Sequence, residues 1–406
     1  MEVIHSDRQR VLSGMRPTGA LHLGHYHGVL KNWLAMQHEY DCFFFVADWH
    51  ALTTEYENQT IIGDATRNMV IDWLAVGIDP SRATLFVQSQ VPEHAELHLL
   101  LSMITPLGWL ERVPTYKDQQ ERLREKDLGT YGFLGYPLLQ SADILIYRAG
   151  LVPVGEDQVA HVELTREVAR RFNHLYGREA DFVPRAKAVL AGIEGIKAKK
   201  YKELRQSYQE RGDHEALGEG RLLVAGLPGL SAEDRERLAG YLEGEARIIL
   251  PEPRAALTPM AKMPGLDGQK MSKSYGNTIG LREDPDSITR KMRTMPTDPA
   301  RVRRTDPGEP LKCPVWPLHE VYSDEDTKEW VLTGCRGASI GCIECKQRVI
   351  DRVIAEVAPI AERARELEND PAHVRQVMRE GAERARAVAG ETMEEVRRAI
   401  GLVGII

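Results

Sequence analysis

The chain lacks any run of about 18 consecutive apolar residues, so nothing in it reads as a membrane-spanning helix. Its first residues, MEVIHSDRQR, have no apolar stretch of the secretory type, and the expectation is a cytoplasmic protein with no membrane association. An excess of positive charge is also missing: 53 Lys and Arg against 60 Asp and Glu leave a formal net charge of −7. That balance excludes a protein that coats nucleic acid indiscriminately, while leaving room for a local basic face. Three basic clusters are candidates for one: Arg166, Arg170 and Arg171; Lys197, Lys199, Lys200 and Lys202; and Arg290, Lys291, Arg293, Arg301, Arg303 and Arg304. Each reads equally as a solvated helix face.

No GxGxxG follows the first apolar strand, which argues against an ordinary dinucleotide-binding enzyme. Cysteine is scarce, at five residues. Cys42 sits alone in the apolar run CFFFVAD and reads as a small buried hydrophobe.

What is present is alternation. At 406 residues the chain has room for two or three domains. RVLSGM, CFFFVAD and ATLFVQS read as buried strands, while 24–39, 64–77, 93–104 and 157–173 have helical periodicity. Continuous apolar strands alternating with helices predict an α/β fold, a doubly wound, Rossmann-like parallel sheet. The expected organisation is a catalytic domain over 1–185, a charge-rich inserted subdomain over 186–250, a return to the catalytic domain over 251–282, and an all-helical domain over 283–406. Helices are expected near 285–294, 346–366, 371–389 and 392–401.

Ligands in such sheets sit beyond the carboxyl ends of the strands. The loop RPTGALHLGH follows the first strand and opens a helix, so it lies at that edge. A helix N-terminus offers unpaired N–H groups to phosphate, with His22 and His25 as further donors and Gly24 allowing close approach. Zinc is disfavoured here, because no third ligand has the right spacing; a short HxGH also arises by chance. His27 is read as structural or surface.

A second loop, GLDGQKMSKSYGN over 265–277, holds Lys270, Ser272, Lys273 and Ser274 between glycines. Two lysines on such a loop suit a triphosphate whose charge grows in the transition state; alone, the loop reads as surface. Cys313, Cys335, Cys342 and Cys345 are separated by 21, 6 and 2 residues, a spacing that suits tetrathiolate ligation of zinc or a four-iron cluster. Two disulfides or free thiols are the alternatives.

The pair HLGH and KMSKS resembles the two signatures of the class I aminoacyl-tRNA synthetases, with Leu23 where isoleucine is usual. The resemblance implies that His22 and His25 hold ATP phosphates, and that Lys270 and Lys273 stabilise the α-phosphate and departing pyrophosphate. SGMRPTG, VADWHALT and YPLLQSADILIYRAGLVPVGEDQVAHVELTREVARRFN further resemble the tryptophanyl-tRNA synthetases. This implies L-tryptophan, Mg2+–ATP and tRNA(Trp) as substrates and a homodimer as the assembly.

ATP contacts carried over are Arg16, Pro17, Thr18, Gly24, His25, Gly155, Glu156, Asp157, Lys270, Met271, Ser272, Lys273 and Ser274. Tyr136, Gln140, Gln158 and His50 would meet the amino acid. Asp143 lies in the apolar helix SADILIY, where an unpaired carboxylate is costly. It would accept the indole N–H, or else bond a neighbouring backbone or basic group. A subset of the family resembles the four-cysteine pattern and carries a [4Fe-4S] cluster near the anticodon site; Zn2+ is the alternative. Tyrosyl-tRNA synthetase and a non-catalytic RNA-binding paralogue are the rival functions.

Overall fold

The computed structural model describes residues 8–57, 59–114, 129–179, 181–193, 195–244, 246–257 and 263–402. Five parallel strands, β1 (Arg10–Met15), β2 (Asp41–Val46), β3 (Ala83–Val87), β4 (Leu151–Val154) and β5 (Arg254–Leu257), form one sheet in the order β3-β2-β1-β4-β5. The order reverses between β1 and β4, and a crevice opens at that point beyond the strand ends.

Alternate side chains of each strand face opposite sides, so the apolar runs build two cores. Val11, Cys42, Phe44, Val46 and Leu85 face one that holds Trp33 and Trp73. Leu12, Phe43, Phe45, Phe86, Val152 and Val154 face another with Leu97, Leu138 and Val168. Cys42 is fully buried, and its thiol is pushed up to about 12, chiefly by burial. It is the packing residue its apolar neighbours predict.

Helix Val159–Tyr176 starts at the strand-end edge of the sheet and runs to the opposite edge, about 27 Å at 1.5 Å per residue. The four helices that follow, Phe182–Ala191, Gly195–Arg211, His214–Ala225 and Ala232–Glu243, close on a separate small core of Tyr201, Leu217, Leu238 and Leu242. That subdomain therefore sits away from the crevice. Arg247 bonds Glu179 and Glu395 as well as Glu236, tying the insertion to the last helix.

Beyond residue 280 the chain is helical, but these helices share the cores of the sheet. Val349, Ile350, Val353 and Val357 of helix Cys342–Asn369 join the first core. Ala382, Ala385, Met393 and Val396 of helix Pro371–Ala399 join the second. The two helices expected at 371–389 and 392–401 are one, because Val388, Ala389, Thr392 and Met393 are buried on either side of Gly390 and carry the helix through it. His27 is a joint in this packing: its Nε2 lies 2.8 Å from Glu356 and 3.1 Å from the Tyr322 hydroxyl. Among the described residues no helix is long and apolar enough to cross a membrane.

Candidate active site

Three strands and a helix deliver side chains to one cavity of about 520 Å³ at the switch point. Ser13, Gly14 and Arg16 come from the end of β1, and Ala47 and His50 from the end of β2. Gly155, Asp157 and Gln158 follow β4, while Tyr136, Gln140 and Asp143 come from helix Tyr131–Ile146. His25 closes one side. Of the predicted residues, Pro17, Thr18, His22, Gly24, Glu156 and the lysine loop do not line the cavity itself. Pro17, Thr18, His22 and Gly24 belong to the turn between the lining residues Arg16 and His25, and Glu156 stands between the lining residues Gly155 and Asp157.

His22 caps the helical run that begins at Leu23: its Nδ1 accepts from the Gly24 N–H at 3.1 Å, and His25 Nδ1 accepts from the His22 N–H at 3.2 Å. A ring nitrogen that accepts carries no proton, so in each neutral imidazole the proton rests on Nε2. Burial, with Lys273 adding repulsion, pushes His22 down to about 4. Burial, then His22 and Lys273, pushes His25 to about 3. At neutral pH both rings are uncharged donors held in one tautomer. A Cβ at residue 24 would stand 2.8 Å from the His22 ring, so glycine is what lets that ring cap the helix.

The lysine loop is stitched to this turn. Leu23 N–H donates to the Ile279 carbonyl at 3.0 Å, and His22 pairs with Gly280. Lys273 Nζ reaches the Thr18 carbonyl at 3.5 Å, and partial burial lowers its pKa. Within the loop, Asn277 Oδ1 accepts from the Ser272 N–H at 2.7 Å, while its Nδ2 donates to Asp267 at 2.7 Å and to the Lys270 carbonyl at 3.2 Å. Asn277 is buried and was not singled out by the motif.

Asp143, expected to find a partner in its apolar helix, has three from neighbouring side chains. It accepts from His50 Nε2 at 2.7 Å, Gln88 Nε2 at 2.7 Å and His94 Nδ1 at 2.6 Å. Burial alone would raise its pKa, but the bonds from His50 and His94 outweigh it and hold the group ionised, well below the usual carboxylate range. Gln140 Oε1 lies 2.6 Å from Nδ1 of the fully buried His161, whose Nε2 lies 3.4 Å from the Tyr136 hydroxyl. Burial pushes His161 down to about 4. His161 is a second residue that sequence reasoning passed over; its signal is a histidine on the apolar face of VAHVEL.

Of the basic clusters, Arg166 and Arg170 both pair with Glu252 and are no free cationic face. Arg293, Arg301, Arg303, Arg304 and Arg348 line a cavity of about 780 Å³ that also touches Cys342. The four clustered cysteines form no disulfide and lie within electrostatic reach of one another. Arg301 Nη1 lies 3.6 Å from Cys335 Sγ, and His319 Nε2 lies 3.2 Å from Cys345 Sγ. Among the described residues, no three His, Cys, Asp or Glu side chains converge on a point suited to a single metal ion.

A family profile described as "tRNA synthetases class I (W and Y)" matches residues 5–200 and 235–358, and the chain belongs to that family. Within it, the chain is 67% identical over 394 residues to the tryptophan–tRNA ligase of Ralstonia nicotianae, covering 97% of this chain and 98% of the relative. It is 45% identical over 396 residues to that of Thermotoga maritima, covering 97% and 99%. Among solved structures, the tryptophanyl-tRNA synthetase of Campylobacter jejuni, complexed with ADP and tryptophan, superposes with a TM-score of 0.73 at 26% identity, covering 97% and 99% of the two chains.

Proposed function

We infer that the cavity performs the reaction of a tryptophan–tRNA ligase. A tryptophan carboxylate oxygen bonds to the α-phosphorus of ATP, the bond from that phosphorus to the bridging oxygen breaks, and pyrophosphate leaves. The acyl group then passes from the adenylate to a hydroxyl of the terminal adenosine of tRNA(Trp). The observation that carries this reading is the convergence of HLGH and KMSKS, far apart in the chain, on the rim of a cavity floored by Asp143.

In this reading His22 and His25 donate from Nε2 to phosphate oxygens. Lys270 and Lys273 stabilise the leaving pyrophosphate; Arg16, Pro17, Thr18, Gly24, Gly155, Glu156, Asp157, Met271, Ser272 and Ser274 hold the nucleotide. Asp143 and His50 meet the indole, and Tyr136, Gln140 and Gln158 the ammonium. Catalysis is orientation and electrostatic stabilisation, with no covalent nucleophile from the protein. Mg2+ arrives on the triphosphate, as it does where phosphates supply most of its ligands. Tryptophan-dependent exchange of pyrophosphate into ATP tests the reading; exchange with neither tryptophan nor tyrosine would refute it and leave the non-catalytic paralogue.

The four thiols fit a [4Fe-4S] cluster in donor type and number, and the N–H groups of Arg301 and His319 suit sulfur that carries negative charge. Cys313, Cys335, Cys342 and Cys345 would hold it, supplying a rigid, redox-capable anchor beside the arginine-lined cavity, where we place the anticodon. Zn2+ is the alternative. Iron and sulfide analysis of anaerobically purified protein, with its visible spectrum, decides between them. Cysteines outside disulfides suit a reducing cytoplasm, and a homodimer completes the reading on family grounds.

A further inference from the structure

Asp143 is held by polar groups that stand behind it. Gln88 and His94, each fully buried, lie outside the cavity lining and place their donors on one oxygen, Oδ1, at 2.7 and 2.6 Å. A carboxylate oxygen accepts about two hydrogen bonds, so Oδ1 is saturated. Oδ2 accepts from His50 at 2.7 Å and keeps room for one more donor.

The direction of every bond follows. His94 Nδ1 faces a carboxylate and carries a proton; in the neutral ring Nε2 is then bare and accepts from the Tyr147 hydroxyl at 2.7 Å. Only the NH2 side of the Gln88 amide can face the carboxylate, because its oxygen there would be repelled. Tyr147 in turn is wedged between Phe43 and Phe86, with ring centroids 4.8 and 5.5 Å away. The chain from Tyr147 through His94 to Asp143 is continuous, with bonds of 2.7 and 2.6 Å.

We propose that His94, seconded by Gln88 and oriented by Tyr147, is a positioning residue for amino acid selection: it locks Oδ1 so that Oδ2 alone faces the cavity as acceptor for the substrate's ring N–H. This rests on the reading of Asp143 given above. Its consequence is selectivity between two ligands of the same shape that differ only in a hydrogen-bond donor.

The test compares kcat/KM in pyrophosphate exchange for tryptophan and for β-(benzothiophen-3-yl)alanine, whose ring sulfur replaces the N–H. The intact enzyme prefers tryptophan by roughly 10- to 100-fold, the range of one hydrogen bond to a charged acceptor. His94→Leu lowers that ratio to below about 3, through a raised KM for tryptophan with little change for the analogue. His94→Asn, whose side-chain NH2 reaches the Nδ1 position, restores most of it, and Tyr147→Phe lowers it about threefold. Equal losses for both ligands in His94→Leu, or in Tyr147→Phe should His94→Leu not fold, would mean a purely structural role and overturn the proposal. Asp143→Asn is the control. If it keeps the ratio, the reading of Asp143 falls and this inference with it; if it loses the ratio while the His94 variants keep it, this inference alone falls.

Discussion

Lys273 places its ammonium 3.5 Å from the carbonyl oxygen of Thr18, a residue 255 positions earlier in the chain. The contact joins the lysine loop to the turn that carries His22 and His25, away from the pocket that holds Asp143. Lys273→Ala should therefore act on the transition state and spare amino acid binding. The expected result in pyrophosphate exchange is a fall in kcat of about 10²- to 10³-fold, with KM for tryptophan within about twofold. A raised KM with unchanged kcat would place Lys273 in the amino acid pocket instead.

Three histidines of the site are held neutral: His22 near 4, His25 near 3 and His161 near 4, against an ordinary 6.5, with burial the largest cause in each. Between about pH 4 and 6.5 the unfolded chain binds protons at these positions that the folded chain refuses. Stability from this source is thus complete above pH 6.5 and is lost as pH falls toward 4, at most about 1.4 kcal/mol per pH unit for each histidine. Denaturant unfolding at pH 7, 6 and 5 should show the loss, and His161→Gln should flatten its slope.

Gly381 faces β3 so closely that an added Cβ would stand 1.7 Å from the Leu85 carbonyl oxygen. The neighbour is backbone in the middle of strand β3, held in register against β2, so it cannot move aside without breaking that pairing. Gly381→Ala should therefore unseat helix Pro371–Ala399 and destabilise the fold by more than about 3 kcal/mol, against a gain of under about 1 for the same change in an open helix. Gly390→Ala, with nothing within 4 Å, is the matched control and should hold or gain stability in the same denaturant titration.

The first three strands were legible because β2 (DCFFFV) and β3 (ATLFV) are short, mostly apolar runs buried almost throughout, while β1 (RVLSGM) holds the buried pair Val11 and Leu12. Strands β4 (LVPV) and β5 (RAAL) escaped notice: each has four residues, one interrupted by Pro153 and the other opening on Arg254 at the sheet edge. The meeting of the HLGH turn and the lysine loop involves residues that were readable because they are contiguous in two short segments. The supports of Asp143 were not, since His50, Gln88 and His94 come from three different segments and meet only in the fold. His94 left one trace, a histidine at the start of the apolar helix EHAELHLLLS.

The central claim is that this cavity charges tRNA with tryptophan. The most direct test gives the protein ATP, Mg2+, total tRNA and equimolar labelled tryptophan and tyrosine, and measures which amino acid becomes esterified. The account predicts tryptophanyl-tRNA alone, with tyrosyl-tRNA at background. Tyrosine esterified at a comparable or greater rate, or neither amino acid esterified by folded protein, would contradict it.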